Sequence, residues 1–368
     1  MLKEKIISGI QQIGIGVSNV REAWNWYREH FGMDIKIFED AAVAELMLQY
    51  TGGEPRKRHA ALTMNLQGGG GFEIWQYVGR TPDAPVNEIL AGDLGIYITK
   101  IKTRNVKTTF ETFRKKNLNL NEISIGPDGK EHFFVRDPYN NLFQVVEGHS
   151  WFRIDRKKST GAAFGAIIGV SDIVKARKVY SDILGYDTVI YDKEGVFEDL
   201  KCLPGGDKTF RRVLLMHSKP RLGSFSRVLG PSVMELIQVT DRQPNQIFKD
   251  RFWGDLGFIH LCYDIKGMDA LRIECKSKGF AFTVDSTHTL KTDTFDMGEA
   301  AGHFAYIEDP DGTLIEFVET DKIPIIKKLG WYLDLRKRDP SKPLPNWILK
   351  TLKYSRVKER HLLETRKF

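Results

Sequence analysis

Cysteine is scarce: Cys202, Cys262 and Cys275 are the only three in 368 residues. An odd number without a framework spacing excludes a disulfide-built scaffold and fits a reducing compartment. Long apolar runs are missing as well, and none approaches the roughly 18 residues that span a bilayer. The opening MLKEKIISGIQQIGIGV has no apolar core of about 7–15 residues ahead of a small-residue cleavage site, so no secretory signal is expected. With 41% hydrophobic and 28% charged residues, the composition also excludes a disordered or collagen-like chain. The expectation is a soluble, cytoplasmic protein whose length suits two domains or one repeat array.

A surplus of one charge is absent from most of the chain. The net charge is +7, yet residues 321–368 hold 14 Lys/Arg against 5 Asp/Glu, which leaves 41 basic and 43 acidic side chains before them. The body therefore offers no phosphate-binding groove, and the basic tail reads as a solvated helix rather than a nucleic-acid arm.

What the chain does have is a repeat. IQQIGIGVSNVREAWNWYREHFGMD at 10–34 pairs with AFGAIIGVSDIVKARKVYSDILGYD at 163–187. Each copy is an alternating strand, a cap residue (Asn19, Asp172), a helix and a closing glycine (Gly32, Gly185). GDLGIYITKI at 92–101 matches GDLGFIHLCYDI at 254–265, and FEIWQYV at 72–78 matches VMELIQV at 233–239. FFVRDPYNNLFQVVEG at 133–148 matches FAYIEDPDGTLIEFVET at 304–320, with DPYN and DPDG as turns between strands. GGGG at 68–71 precedes a strand, so it reads as a hairpin loop and not as a phosphate cradle. The organisation is four strand–helix–three-strand units, with 149–160 linking residues 1–148 to 161–320, and with 321–368 as a basic, helical extension.

This βαβββ tandem, with its strand–cap–helix–FY/VY opening and DP(D/Y)(G/N) ending, resembles the vicinal oxygen chelate superfamily. That superfamily includes glyoxalase I, methylmalonyl-CoA epimerase, extradiol dioxygenases, 4-hydroxyphenylpyruvate dioxygenase-like enzymes and bleomycin-resistance proteins. The resemblance covers about residues 8–320 and implies an α+β fold of two modules with concave mixed sheets. It further implies a funnel with a divalent metal at its base, held by residues on the first and last strands of paired units.

Those positions carry Gln12 and Glu73 in unit one, Ile98 and Gln144 in unit two, Gly165 and Glu235 in unit three, and His260 and Glu316 in unit four. Strand alternation supports them: Gln12 shares a face with Gly14 and Gly16, and His260 with Cys262 and Asp264. Glu316 lies opposite Ile315 and Phe317. A carboxylate on an inner face costs several kcal/mol unless paired or bound to a cation. Two pairings of units are open. If each half closes on itself, His260 and Glu316 meet Gly165 and Glu235, and the two-histidine iron triad lacks its first histidine. If unit one faces unit four, the set is Gln12, Glu73, His260 and Glu316, the combination that resemblance to glyoxalase I implies. The other funnel is then a decayed one. Cys262 is expected to fill space, His132 and His303 to lie on strand surfaces, and Glu235 to pair with Arg211 or Arg212 if it is structural.

The resemblance implies one divalent ion (Zn, Ni, Mn, Co or Fe) binding a small substrate through vicinal oxygens, with Glu316 and Glu73 as catalytic bases for a lyase or isomerase. A sequestering binder with a funnel lined by Trp75, Tyr77 and Phe258, and an iron dioxygenase, are the alternatives. The expected partners are a small molecule and at most a second copy, without nucleic acid. In the tail, Pro340, Pro343 and Pro345 break the chain, and Trp347, Ile348, Leu352 and Val357 suit an amphipathic helix packed on the body or a second subunit rather than adsorbed to a membrane.

Overall fold

A computed structural model of the protein describes residues 4–289, 295–296, 301–326 and 331–357. Unit one comprises β1 (Ile6–Gly16), α1 (Val20–Phe31), β2 (Ile35–Ala44), β3 (Arg56–Met64) and β4 (Gly71–Tyr77). Unit two comprises β5 (Gly95–Thr103), α2 (Val106–Lys115), β6 (Asn119–Leu120), β7 (Ser124–Ile125), β8 (Glu131–Arg136) and β9 (Leu142–Glu147). Unit three has β10 (Thr160–Gly169), α3 (Ile173–Tyr180), β11 (Thr188–Gly195), β12 (Phe210–Met216), α4 (Ser226–Leu229) and β13 (Val233–Val239). Unit four has β14 (Gly257–Lys266), α5 (Met268–Ser277), β15 (Val284–Asp285), α6 (Ser286–Thr289), β16 (Phe295–Asp296), β17 (Ala301–Glu308) and β18 (Leu314–Ile326). β19 (Trp331–Asp334) and α7 (Asn346–Lys350) follow.

Local chemistry sets the helix ends. The Asn19 side chain accepts from the Arg21 and Glu22 amides, and Gly32 stops α1 at φ +65°, a left-handed conformation that side chains disfavour. Asn105 and Asp172 cap α2 and α3 in the same way. Alternation sets the strands, since Ile13, Ile15 and Val17 are fully buried in the central core.

The fold is α+β with two curled mixed sheets, and the units pair across the halves of the chain. One sheet runs β15-β17-β18-β14-β1-β4-β3-β2, so it joins unit four to unit one through the antiparallel pair β1–β14. The other runs β11-β12-β13-β10-β5-β9-β8-β6, joining unit three to unit two through β10–β5. Consecutive units are tied between the sheets by the signature residues of the repeat. The hydroxyl of Tyr27 on α1 donates to Asp137 in the DPYN turn, and Tyr180 on α3 donates to Asp309 in the DPDG turn at 2.9 Å. The core holds Tyr27, Phe31 and Phe72 from one unit against Phe143 from the next. The glycine run bridges β3 and β4, and the Gly70 amide bonds the Ala163 carbonyl.

The described tail begins as strand and turns helical further on: β18 runs on to Ile326 and β19 pairs with it, and α7 continues as a 3₁₀ turn over Thr351–Ser355, which puts Trp347, Ile348 and Leu352 on one short helical segment. Sheet pairing is open to residues at the end of β18, and prolines at 340, 343 and 345 remove amide donors where a helix would need them. The tail packs on the body: Leu335, Leu344 and Leu349 are buried in a cluster with Ile35, Met64, Val228 and Leu229. Trp347 stays 64% exposed, and residues 358–368 lie outside the described part. No helix among the described residues is long and apolar enough to cross a membrane.

Candidate functional site

Four strands of the first sheet bring Gln12, Glu73, His260 and Glu316 together. The register puts Gly14 of β1 beside both His260 of β14 and Glu73 of β4, and Cys262 beside both Gln12 of β1 and Glu316 of β18. Gly14 is required there, because a Cβ would stand 2.5 Å from the His260 ring. His260 Nε2 lies 3.2 Å from Glu73 Oε2 and 3.2 Å from Glu316 Oε2. Gln12 Nε2 donates to the same two oxygens at 3.3 and 3.4 Å. Among the described residues, Glu73, His260 and Glu316 are the one group of three or more His, Cys, Asp or Glu whose donor atoms all fall within 4.8 Å of one another.

The electrostatics are those of a compact buried triad. Burial pushes the Glu73 carboxyl up, but His260, Arg58 and Gln12 together outweigh it and hold the carboxyl below its usual range. Burial pushes Glu316 up and Glu73 adds to it, so its pKa stays raised despite the attraction of His260. The His260 imidazole is desolvated, yet Glu316 and Glu73 together raise its pKa. Two neighbouring carboxyls driven in opposite directions are the pattern by which sites separate acid and base roles.

The donor set fits a divalent ion. Gln12 Oε1 is buried without a hydrogen-bond partner. Buried polar atoms without partners mark missing ligands or waters. For bonds of about 2.1 Å, adjacent donors stand about 3.0 Å apart at right angles and about 3.4 Å apart in a tetrahedron, and His260 Nε2 stands 3.2 Å from each of the two carboxylates. Ligation through Gln12 Oε1 needs only an amide rotation. The Trp253 indole donates to His260 Nδ1 at 3.3 Å, which puts the proton of the neutral ring on Nε2. Ligation through Nε2 would move that proton to Nδ1 and exchange the indole bond for the ion.

The same positions in the second sheet have another fate. Gly165 takes the register of Gln12, Ile98 that of His260, Glu235 that of Glu73 and Gln144 that of Glu316. Lys100, in the register of Cys262, reaches into this space: its ammonium donates to Gln144 and lies 2.7 Å from Glu235. Arg212 binds the other Glu235 oxygen at 2.7 Å and Asp199 at 2.8 Å, while Arg211 pairs with Asp192 instead. Burial pushes the Glu235 carboxyl up, but Arg212 and Lys100 hold it far below the usual carboxylate range. Side-chain cations here fill the space between the equivalent positions.

Three expectations need correction. Trp75 and Tyr77 do not line the cavity above the site, because Trp253 stacks edge-on against Trp75 and closes it off. Phe258 packs on Phe143 in the central core. The cavity instead meets Phe38, Trp253, Phe304 and Tyr306. His132 is buried and lies 3.2 Å from Asp199, so it belongs to the second-sheet network rather than the surface; His303 is half-buried beside Asp321 at 3.5 Å. Cys262 is fully buried, as expected of a space-filling residue. Lys100 and Asp199 carried no signal in the sequence beyond their alternation on a strand and a turn.

Comparison with known proteins follows the same lines. The family model of the Glyoxalase/Bleomycin resistance protein/Dioxygenase superfamily matches residues 9–145 and 163–317. Among solved structures, glyoxalase I from Zea mays aligns with a TM-score of 0.53 at 14% identity, covering 86% of this chain and 92% of that one. A putative dioxygenase from Bacillus subtilis subsp. subtilis str. 168 aligns with a TM-score of 0.53 at 12% identity, covering 85% and 86%. At such identities the likeness is one of fold. A comparison with curated proteins finds no match.

Proposed function

The chain belongs to the Glyoxalase/Bleomycin resistance protein/Dioxygenase superfamily, and on that premise we propose that it is a divalent-metal-dependent enzyme that isomerises or eliminates a small α-oxygenated carbonyl compound. The observation that carries this reading is the convergence of four ligand-capable side chains, Gln12, Glu73, His260 and Glu316, with the buried Gln12 Oε1 left without a partner. Gln12, Glu73, His260 and Glu316 would hold the ion. When bound, it would polarise adjacent substrate oxygens and stabilise the negative charge of an enediolate as that charge develops. One nitrogen and three oxygen donors suit Zn, Ni, Mn, Co or Fe without selecting among them.

The residues of the chain then divide the work. Glu316, whose basicity burial raises, takes a proton from the carbon beside a chelating oxygen and returns it to the neighbouring carbon or the leaving group. The Tyr306 hydroxyl and Cys262 thiol adjoin that carboxylate and steady it. Glu73, held ionised, would offset the positive charge of a bound ion and is the second candidate base. Trp253 and Tyr306 screen the site from water. Iron dioxygenases of this superfamily use two imidazoles and one carboxylate, whereas this set has one imidazole and two carboxylates, which favours proton transfer over dioxygen chemistry. Incubation of the metal-loaded protein with α-hydroxy or α-keto carbonyl compounds in deuterated solvent should exchange the proton next to the chelating oxygen. Glu316→Gln should abolish the exchange, and no oxygen should be consumed. Stoichiometric oxygen uptake during turnover would contradict the assignment.

A further inference from the structure

One cavity of about 430 Å³ begins at Gln12, Glu73 and Glu316 and continues past Leu62 and Met64 to the C-terminal extension. Its far wall is made by Val228, Leu229, Leu344, Ile348, Leu349 and Leu352. The tail carries the basic surplus of the chain, yet every tail residue on this wall is uncharged, and Lys350 and Lys353 on the same segment are exposed. On the other side, charged lining residues come from β2, β3 and the turn between them, where Arg58 is bonded to Asp40. An ion and the vicinal oxygens of a small substrate would occupy only the end beside the carboxylates. The rest is a partly enclosed apolar space of ligand size that opens directly onto them.

We propose, building on the metal-dependent reading above, that the substrate carries an extended apolar arm, of the class of a medium-length alkyl or acyl chain, attached to its chelating head. The head lies against Glu73, His260 and Glu316. The arm lies along Met64 and Leu229 and ends under Ile348 and Leu352. The C-terminal extension is thus part of the binding site and sets the length of arm that fits.

Alkyl hydroxamates test this directly, because a hydroxamate chelates metals through two vicinal oxygens while its chain length is varied. Calorimetric titration of the zinc-loaded protein from acetohydroxamate to decanohydroxamate should show affinity rising by about fourfold per added methylene, then levelling once the arm fills the cavity. Alkyl alcohols of the same lengths, which have no chelating head, should show the same slope on metal-free protein. Ile348→Trp and Leu352→Trp, both at half-buried positions, should remove most of the gain for long chains and leave acetohydroxamate binding unchanged. Affinity independent of chain length, with acetohydroxamate still bound, would overturn the apolar arm while the metal reading stood. A slope retained by the alcohols with no metal bound and no benefit from the head would sink the metal reading and leave the arm. An unaltered slope in both tryptophan variants would show that the arm does not reach the tail, and would overturn the proposal.

Discussion

Gly14 decides where His260 can stand. Its missing side chain leaves room for the imidazole, and a Cβ there would lie 2.5 to 2.7 Å from three ring atoms. Gly14→Ala should therefore displace the ring without unfolding β1, and metal affinity should fall by roughly 10- to 100-fold, the range found when the support of a ligand is disturbed. Competition against a chromogenic chelator measures this, and unchanged affinity would show that the ring is not a ligand. The candidate residues themselves were legible because a period-two strand puts Gln12 with Gly14, and His260 with Cys262, on one face. Which aromatics reach the cavity was not legible. Trp75 shares the face of Glu73, but Trp253, from a loop far along the chain, covers it, and alternation carries no information about what lies on top.

At the scale of elements, the two sheets are register copies in which, of the four candidate ligand positions, only Glu73/Glu235 keeps its residue. Glu73 faces the His260 imidazole at 3.2 Å, while Glu235 is clamped between the cations Lys100 and Arg212. Glu235→Ala would leave both cations buried beside an empty space, and should cost about 3–5 kcal/mol of stability. Denaturant unfolding measures that loss, and metal content should be unchanged. Sequence alignment pointed to Ile98 and Gly165 as the empty ligand positions of this funnel, and they do occupy the registers of His260 and Gln12. It did not point to Lys100, since a lysine two residues further along reads as an exposed strand position. In the tail, Trp347, Ile348 and Leu352 lie on the short helical segment 346–355, while the strand extension of β18 and its pairing with β19 were not legible from the apolar spacing.

At the scale of the whole molecule, each sheet contains one unit from each half of the chain, so the halves cannot part without unzipping β1–β14 and β10–β5. Cleavage between the exposed residues Arg156 and Lys157 should therefore yield two fragments that elute together in native buffer and separate only in denaturant. Fragments that separate natively would mean halves that close on themselves. The repeat was fully visible in the sequence, but its pairing was not, because both arrangements use the same units and the same turn chemistry. The Tyr27–Asp137 and Tyr180–Asp309 bonds show why the tyrosine and the DP turn recur: they join sequential units that lie in different sheets.

The central claim is that one site, built across the halves, holds one divalent ion, and elemental analysis of protein purified without added metal tests it most directly. The account predicts about one equivalent per chain, lost in His260→Ala, weakened in Gln12→Ala, Glu73→Ala and Glu316→Ala, and retained in Glu235→Ala. Two equivalents, none after supplementation and careful removal of excess, or dependence on Glu235 rather than Glu73, would contradict it.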